Sequence, residues 1–325
     1  MNVLLTGSSG YIGSALTAEL RRLGHVVTGL DRRDPHYGVT ADRFIRADLL
    51  DDGALDGAFR DVDLIAHLAA AKDDWGLSDD EYYRDNLAAT ERLIDAGRAA
   101  GMKRWLFYST VGVMGSSEVA LDESAPYAPT IAYGASKMEA EKRFQAFSDE
   151  DHDAEIMVIR PSAVYGPGNP DNTNVYRLID AIRGGKFLMV GDGLPTKTTS
   201  FLGNLIPATL FLLERMRPGL QTYIYVDDPV MTTNDLVDTI YGELGRKRPS
   251  FRLPLPVAKT IASVSDVVAS VTGVDLPITA ARIEKFCTST VFDGGSIRRA
   301  GFRQPVANAE ALSQTVAWHI NGRER

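Results

Sequence analysis

The chain has 325 residues, 35 of them lysine or arginine and 43 aspartate or glutamate, for a formal net charge of −8. That length suffices to bury one enlarged α/β unit or two closely joined lobes, while the charge argues against a nucleic-acid surface and obliges any small anionic ligand to find a locally basic groove. A single cysteine, Cys287, excludes a disulfide scaffold, and the five histidines, at 25, 36, 67, 152 and 319, show no metal-ligand spacing, so no metal is expected.

Residues 2–6 read as a buried parallel strand, and Gly7, Gly10 and Gly13 follow at spacing three, directly before a helical pattern over 11–23 marked by Ile12, Leu16, Leu20 and Leu23. This is the pattern of a dinucleotide-binding turn. Gly7 lets the chain reverse off the strand, Gly10 lets the backbone approach a pyrophosphate, and Gly13 lets the helix lie close to the sheet. The bare amides of the helix N-terminus then face the phosphates. Glycines at this spacing also make ordinary strand-to-helix turns, so the order strand, turn, helix carries the reading. A second strand over 25–30 is closed by Asp31, eighteen residues after Gly13, where a carboxylate accepts both ribose hydroxyls and repels a 2′-phosphate. This favours NAD over NADP. Arg32 and Arg33 follow at once, and a guanidinium there either holds such a phosphate or faces solvent.

Further strand patterns at 43–47, 63–69, 103–109 and 154–161 alternate with helical patterns at 78–100 and 131–148. That rhythm predicts an α/β fold with a doubly wound parallel sheet of six or seven strands. At Tyr165-Gly166-Pro167-Gly168-Asn169-Pro170 a turn cluster takes the chain off the sheet. The expected division is a dinucleotide-binding Rossmann-type domain over 1–168 with about 200–226, and a smaller, discontinuous substrate lobe over about 169–199 and 227–325. In it, 202–216 and 222–226 return to the first lobe. No apolar run approaches the roughly 20 residues of a membrane span. The strand pattern beginning at residue 2 leaves no room for a targeting segment, so the expectation is a cytoplasmic protein with no membrane and no nucleic-acid partner.

Tyr133 and Lys137 lie four apart at the start of a helical pattern and therefore share a face. A phenol of pKa about 10 must be brought down toward 7 to exchange protons near neutrality, which takes about 4 kcal/mol. One ammonium about 4 Å away supplies that much at an effective dielectric near 20. The bland alternative is a solvated helix edge. Against it, Leu106-Phe107-Tyr108-Ser109-Thr110 ends the preceding strand, and ligands of parallel sheets bind at the carboxyl ends, where Thr110 and Tyr133 reach one substrate oxygen.

Six segments in order complete the pattern: Thr6-Gly7-Ser8-Ser9-Gly10-Tyr11-Ile12-Gly13, Asp48-Leu49, His67-Leu68-Ala69-Ala70, Tyr108-Ser109-Thr110, Tyr133-Gly134-Ala135-Ser136-Lys137, and Arg160-Pro161-Ser162-Ala163-Val164-Tyr165-Gly166-Pro167. Together they resemble an extended short-chain dehydrogenase/reductase of the NAD-dependent epimerase/dehydratase family, over nearly the whole chain. The resemblance implies Tyr133 as catalytic acid/base, Lys137 as its partner and ribose contact, and Thr110 as the hydroxyl that orients the reacting carbinol. It implies a cofactor groove of Gly7, Gly10, Tyr11, Ile12, Gly13, Asp31, Arg32, Asp48, Leu49, Leu68, Ala69, Ala70, Asn86, Ser109, Pro161 and Val164. Asp48 is equally readable as a turn cap before Leu49. His67 is expected to be a packed strand residue.

Dehydratase-like relatives place an acidic pair after the threonine and decarboxylase-like ones a nearby glutamate, whereas this chain has Val111-Gly112. The resemblance therefore implies an NAD-dependent nucleotide-sugar epimerase, inverting C4 of a UDP- or dTDP-linked hexose by transient oxidation to a keto sugar, assembled as a homodimer through helices near 80–100 and 131–148. A net dehydrogenase or reductase is the alternative, and a non-catalytic dinucleotide sensor a further one. Thr110, Tyr133, Ser162, Asn172, Asn174 and Lys197 are the candidate substrate contacts. The asparagines, Asn204 among them, could bond a sugar or uracil, but asparagine in turn-rich segments more often satisfies its own backbone. Thr199-Ser200 stands where such relatives carry an arginine and an aspartate, Thr290-Val291-Phe292-Asp293 where they turn on Gly-Asp-Val, and Met114 where a tyrosine would line the pocket wall.

Overall fold

The computed structural model describes residues 1–322 apart from 36, 73–76, 116, 118, 169, 171–172 and 261–286. Its centre is a seven-stranded sheet in the order β3-β2-β1-β4-β5-β6-β11. The strands are β1 (Asn2–Thr6), β2 (Val26–Asp31), β3 (Arg43–Arg46), β4 (Leu64–His67), β5 (Arg104–Tyr108), β6 (Glu155–Pro161) and β11 (Gly219–Tyr225). Every pairing in it is parallel. The strand order reverses between β1 and β4, where a parallel sheet opens a crevice beyond its carboxyl ends.

The central strands β1, β4 and β5 are almost wholly buried because both faces are covered, and alternation decides which helix each residue meets. Val3, Leu5, Leu106, Tyr108, Met157 and Ile159 join a core with Leu16 and Leu20 of α1 (Tyr11–Arg22) and Leu205 and Leu212 of α6 (Leu202–Leu213). Leu4, Trp105, Phe107, Ile156 and Val158 point the other way, onto Leu93 and Ile94 of α3 (Ala89–Ala99) and Ala140, Phe144 and Phe147 of α4 (Ala132–Glu150). Phe107 thus faces the helix that carries Tyr133 and Lys137.

The helix expected over 78–100 is not uniform. A capping box at Ser78 and Glu81 starts α2 (Asp79–Tyr82), residues Tyr83–Ala88 form a π-turn, and only then does α3 run on. The wider turn is where Asn86 reaches inward, as described below, and π-turns commonly mark such sites. The returning strand expected over 222–226 starts earlier, at Gly219, and pairs with β6 along its whole length.

Beyond β6 the chain forms β7 (Ala163–Tyr165), α5 (Asn174–Arg183), β8 (Met189–Val190), β9 (Thr196–Lys197) and β10 (Thr199–Phe201). After β11 come β12 (Met231–Thr232), α7 (Thr233–Glu243) and β13 (Arg252–Leu253), then helices Gly295–Arg299 and Asn308–Asn321. Tyr165, Ile179, Phe201, Val237, Ile240, Leu312 and Val316 make a separate apolar cluster for these elements. Asp227 pins them to the sheet: it accepts from Phe201 N at 2.6 Å, Asn204 Nδ2 at 3.2 Å and the Tyr225 hydroxyl at 3.1 Å. Burial pushes its carboxyl up to about 6. Asn204, weighed above as a sugar contact, is fully buried and completes its bonding on Val306 N and O.

Candidate active site

The first glycine turn is set by contact distances. Gly7 has φ +74°, and a Cβ on it would lie 2.6 Å from Ala69 N; one on Gly13 would lie 2.1 Å from Gly7 O. Strand end, turn and helix are therefore pressed together, and neither position admits alanine without displacing backbone. Gly10 differs. Its nearest protein atoms to such a Cβ are Gly7 O at 3.2 Å and Arg33 Nη2 at 4.0 Å, which leaves an open side at the helix N-terminus, a place for phosphate.

Asp31 ends β2, nearly buried, with one oxygen on Ser9 N at 3.0 Å and the other on Arg33 N at 2.9 Å. Arg32 turns away into a charge network, 2.8 Å from Asp85 and 3.7 Å from Asp48, which Arg84 also joins at 3.1 Å from Asp48. The guanidinium over the turn is Arg33, not Arg32. Asp48 also accepts from Leu50 N at 3.0 Å, so the turn-cap reading is visible in the structure. Leu49 packs in the core, Leu68 and Ala69, just past β4, are half-buried against the two opposite core clusters, and Ala70 is exposed. Tyr11 donates to Pro167 O at 3.0 Å, and so ties the glycine turn to the turn that follows Val164.

Asn86 is fully buried and satisfied by protein: it accepts from Ala71 N at 2.7 Å and donates to Ala71 O and Ser136 Oγ, both at 3.0 Å. Ser136 in turn donates to Tyr133 O at 2.9 Å. The π-turn therefore clamps the chain after β4 to the first turn of α4. Behind it lies a chain of bonds that fixes a histidine tautomer. Thr90 donates to Asn86 O at 2.5 Å, so its oxygen accepts from His67 Nε2–H at 2.9 Å, and His67 Nδ1 accepts from the Thr6 hydroxyl at 2.7 Å. His67 is the packed strand residue expected, and burial, then the Lys137 charge, brings its pKa down to about 3.

Lys137 is almost fully buried, with Nζ 4.0 Å from the centroid of the Phe107 ring, a cation–π contact. Among the described residues nothing accepts a hydrogen bond from this ammonium. Burial brings its pKa down to about 7 against the upward pull of Glu141. Glu141, one turn on, is engaged elsewhere: Arg160 holds its two oxygens at 3.0 and 2.6 Å, and the Tyr127 hydroxyl donates to it at 2.8 Å. The Arg160–Glu141 pair was not expected from the sequence, where Arg160 stood only as the first residue of a motif; the signal was present in a charged residue directly after the apolar run 156–159.

Tyr133 is half-buried on the first turn of α4, its ring 6.1 Å from that of Tyr82. Thr110, just past β5, accepts from Gly112 N at 3.1 Å and keeps its own hydrogen for another acceptor. Ser109 Oγ is buried and unpaired among the described residues. An open glycine turn, an unpaired buried hydroxyl and an ammonium with three unused donors suit a dinucleotide lying from Gly10 to Lys137, with ribose hydroxyls meeting Lys137.

The expected substrate contacts fare unevenly. Ser162 shares a bond with Ser200 Oγ at 3.0 Å, and Lys197 Nζ donates to Thr288 O. Asn174 opens α5 and is exposed, whereas Asn172 lies outside the described residues. Met114 corrects an expectation: it is buried with its sulfur 3.4 Å from Arg160 Nη1 and does not form a pocket wall. Along the strand leading from β9, a concavity of about 490 Å³ is lined by Val190, Asp192, Leu194, Leu255, Cys287 and Ser289. Burial raises the Cys287 thiol, Lys197 and Lys259 pull it down, and Asp192 adds to the rise.

The family model described as "NAD dependent epimerase/dehydratase family" matches residues 3–226. The chain is 31% identical over 320 residues to N-acetyl-alpha-D-glucosaminyl-diphospho-ditrans,octacis-undecaprenol 4-epimerase of Escherichia coli O157:H7, covering 98% of this chain and 95% of that protein. It is 29% identical to 2-alkyl-3-oxoalkanoate reductase of Stenotrophomonas maltophilia, covering 98% and 99%. Among solved structures, MoeE5 in complex with UDP-glucose and NAD superposes with a TM-score of 0.76 at 27% identity, covering 99% of this chain and all of that one (100%).

The His67 arrangement gives a stability prediction. The unfolded imidazole binds a proton near pH 6.5, and the folded one only near 3. Between those values the unfolded chain holds the extra proton, so this contribution is present above pH 6.5 and is lost as pH falls. Thermal unfolding should show the midpoint dropping from pH 7 to pH 5, with His67→Gln destabilised by about 1–3 kcal/mol at pH 7 and less pH-dependent below it. An unchanged slope in the variant would contradict the assigned environment.

Proposed function

Since the chain belongs to the NAD dependent epimerase/dehydratase family, we propose that it is an NAD-dependent epimerase that inverts C4 of a nucleotide-linked sugar. The observation that carries the reading is the buried Lys137 ammonium, one helical turn from Tyr133 and with no acceptor among the described residues. A relative named for an undecaprenol-linked sugar 4-epimerase and a structural neighbour solved with UDP-glucose and NAD support it. Both substrates present a sugar on a diphosphate.

In this reading Gly7, Gly10 and Gly13 shape the pyrophosphate turn, Asp31 faces the adenosine ribose, and Ser109 and Lys137 meet the other ribose. NAD held there would supply a reversible hydride acceptor for the carbinol carbon, through which the configuration at C4 could invert. Tyr133 accepts the proton of the substrate hydroxyl as that hydride leaves and gives it back afterwards. Lys137 holds the phenolate by charge, and Thr110 donates to the same substrate oxygen and fixes its direction. Val111-Gly112 offers no carboxylate beside Thr110, so neither elimination nor decarboxylation has its acid and base there. The lobe over 169–199 and 227–325 holds the carrier, with Lys197 among the cations available to a diphosphate. The protein works in the cytoplasm as a homodimer, with α3 and α4 at the interface.

Incubation with a panel of UDP-, dTDP- and GDP-sugars, read by product NMR, should show interconversion without added cofactor and without lasting absorbance at 340 nm. Tyr133→Phe should lose about 10²–10⁴ of that rate. A stoichiometric absorbance change would instead identify a net reductase or dehydrogenase, and full turnover in the Phe variant would refute the assignment. Size-exclusion chromatography with light scattering should give twice the chain mass; a monomer at micromolar concentration would refute the dimer.

A further inference from the structure

The far end of the second lobe carries an apolar ledge that neither the sheet nor the active site uses. Parallel strands β8 and β13 pair Met189 with Arg252, so Leu188 and Phe251 stand side by side at their start. Both are exposed, Phe251 at 64%; Leu194 (64%) lines the concavity, and Val257 (47%), two residues after its lining residue Leu255, is exposed as well. Leu188 and Phe251 are neighbours by register, and an exposed aromatic beside an exposed leucine on a lobe with two more exposed apolar side chains is of the kind that marks an interaction surface.

The charges around the ledge identify its partner. Within 246–259, Arg246, Lys247, Arg248, Arg252 and Lys259 alternate with Phe251, Leu253, Leu255 and Val257, and that stretch contains no acidic residue, in a chain of net charge −8. Lys186, two residues before Leu188, adds another exposed ammonium. Arg246 reaches Arg183 O at 2.6 Å and so draws this segment against the end of α5. Arg248 is neutralised by Asp238 at 2.7 Å, and Arg252 is folded onto Asp192 O, while Lys247 and Lys186 are in no ion pair among the described residues. A basic fringe around exposed aromatic and aliphatic side chains fits the boundary between anionic headgroups and acyl chains.

We propose that this ledge docks the second lobe on an anionic lipid bilayer, with Phe251, Leu188 and Val257 entering the headgroup boundary and Lys186 and Lys247 meeting its phosphates. This departs from the expectation of no membrane partner, which rested on the lack of a spanning segment; docking at a surface needs none. The test is flotation of the full-length protein with vesicles of phosphatidylcholine, with and without phosphatidylglycerol. The protein should float only with the anionic vesicles and be released by added salt. The double substitution Phe251→Ser and Leu188→Ser should abolish flotation, and Lys247→Ala should weaken it about fivefold. All should keep wild-type thermal midpoints and wild-type turnover of soluble substrate, because none of these residues belongs to the active site. The proposal is overturned if wild-type protein stays with the unbound fraction, or if the double variant floats undiminished. It is equally overturned if the ledge instead mediates concentration-dependent self-association that the double variant loses.

Discussion

A buried ammonium with no carboxylate of its own is the constraint on which this structure turns. Lys137 sits on the Phe107 ring with its pKa brought down to about 7, which corresponds to a burial cost on the order of 5 kcal/mol. One turn along the same helix, Glu141 is placed to relieve that cost as an ordinary i, i+4 ion pair. It does so only through its field and not by a direct bond, because Arg160 occupies both its oxygens and Tyr127 donates a third bond. The buried Glu141–Arg160 pair therefore does two things: it anchors α4 to β6, and it leaves the Lys137 charge available to a phenol and to ribose hydroxyls.

The sheet determines where that charge is felt. Alternation along β5 sends Trp105 and Phe107 to the α4 face and Leu106 and Tyr108 to the α6 face, and delivers Ser109 and Thr110 at the carboxyl end, just before Gly112, which lies against Gly134 on the first turn of α4. The first turn of α4 is held in register by Ser136 and, through it, by Asn86 in the π-turn. Asn86, expected above to contact the cofactor, has its side-chain bonds on protein, joining Ala71 to the helix that carries Tyr133 and Lys137. His67, behind it, adds a rigid neutral spacer between Thr6 in β1 and Thr90 in α3.

What the sequence made legible follows from how local the cause is. Glycines at 7, 10 and 13 and the apolar strands were readable because their constraints act between residues close in sequence or on one strand face, and Tyr133 and Lys137 because four residues make one helical turn. The π-turn at Tyr83–Ala88 was not readable, since its residues suit an α-helix and only the inward pull of Asn86 widens the turn. The Ser162–Ser200 and Lys197–Thr288 contacts depend on strands that return from distant parts of the chain. Met114 looked like a wall residue by position along the chain, but the guanidinium of Arg160 draws its sulfur into the interior.

The central claim is that Lys137 makes Tyr133 acidic. The most direct measurement is a phenolate difference-absorbance titration of the protein with NAD bound, compared with Tyr133→Phe and Lys137→Met. One tyrosine should ionise near pH 7, vanish in the Phe variant, and move up toward 10 in the Met variant. A wild-type titration in which no tyrosine ionises below pH 9, or one whose early phase survives Lys137→Met, would contradict the account.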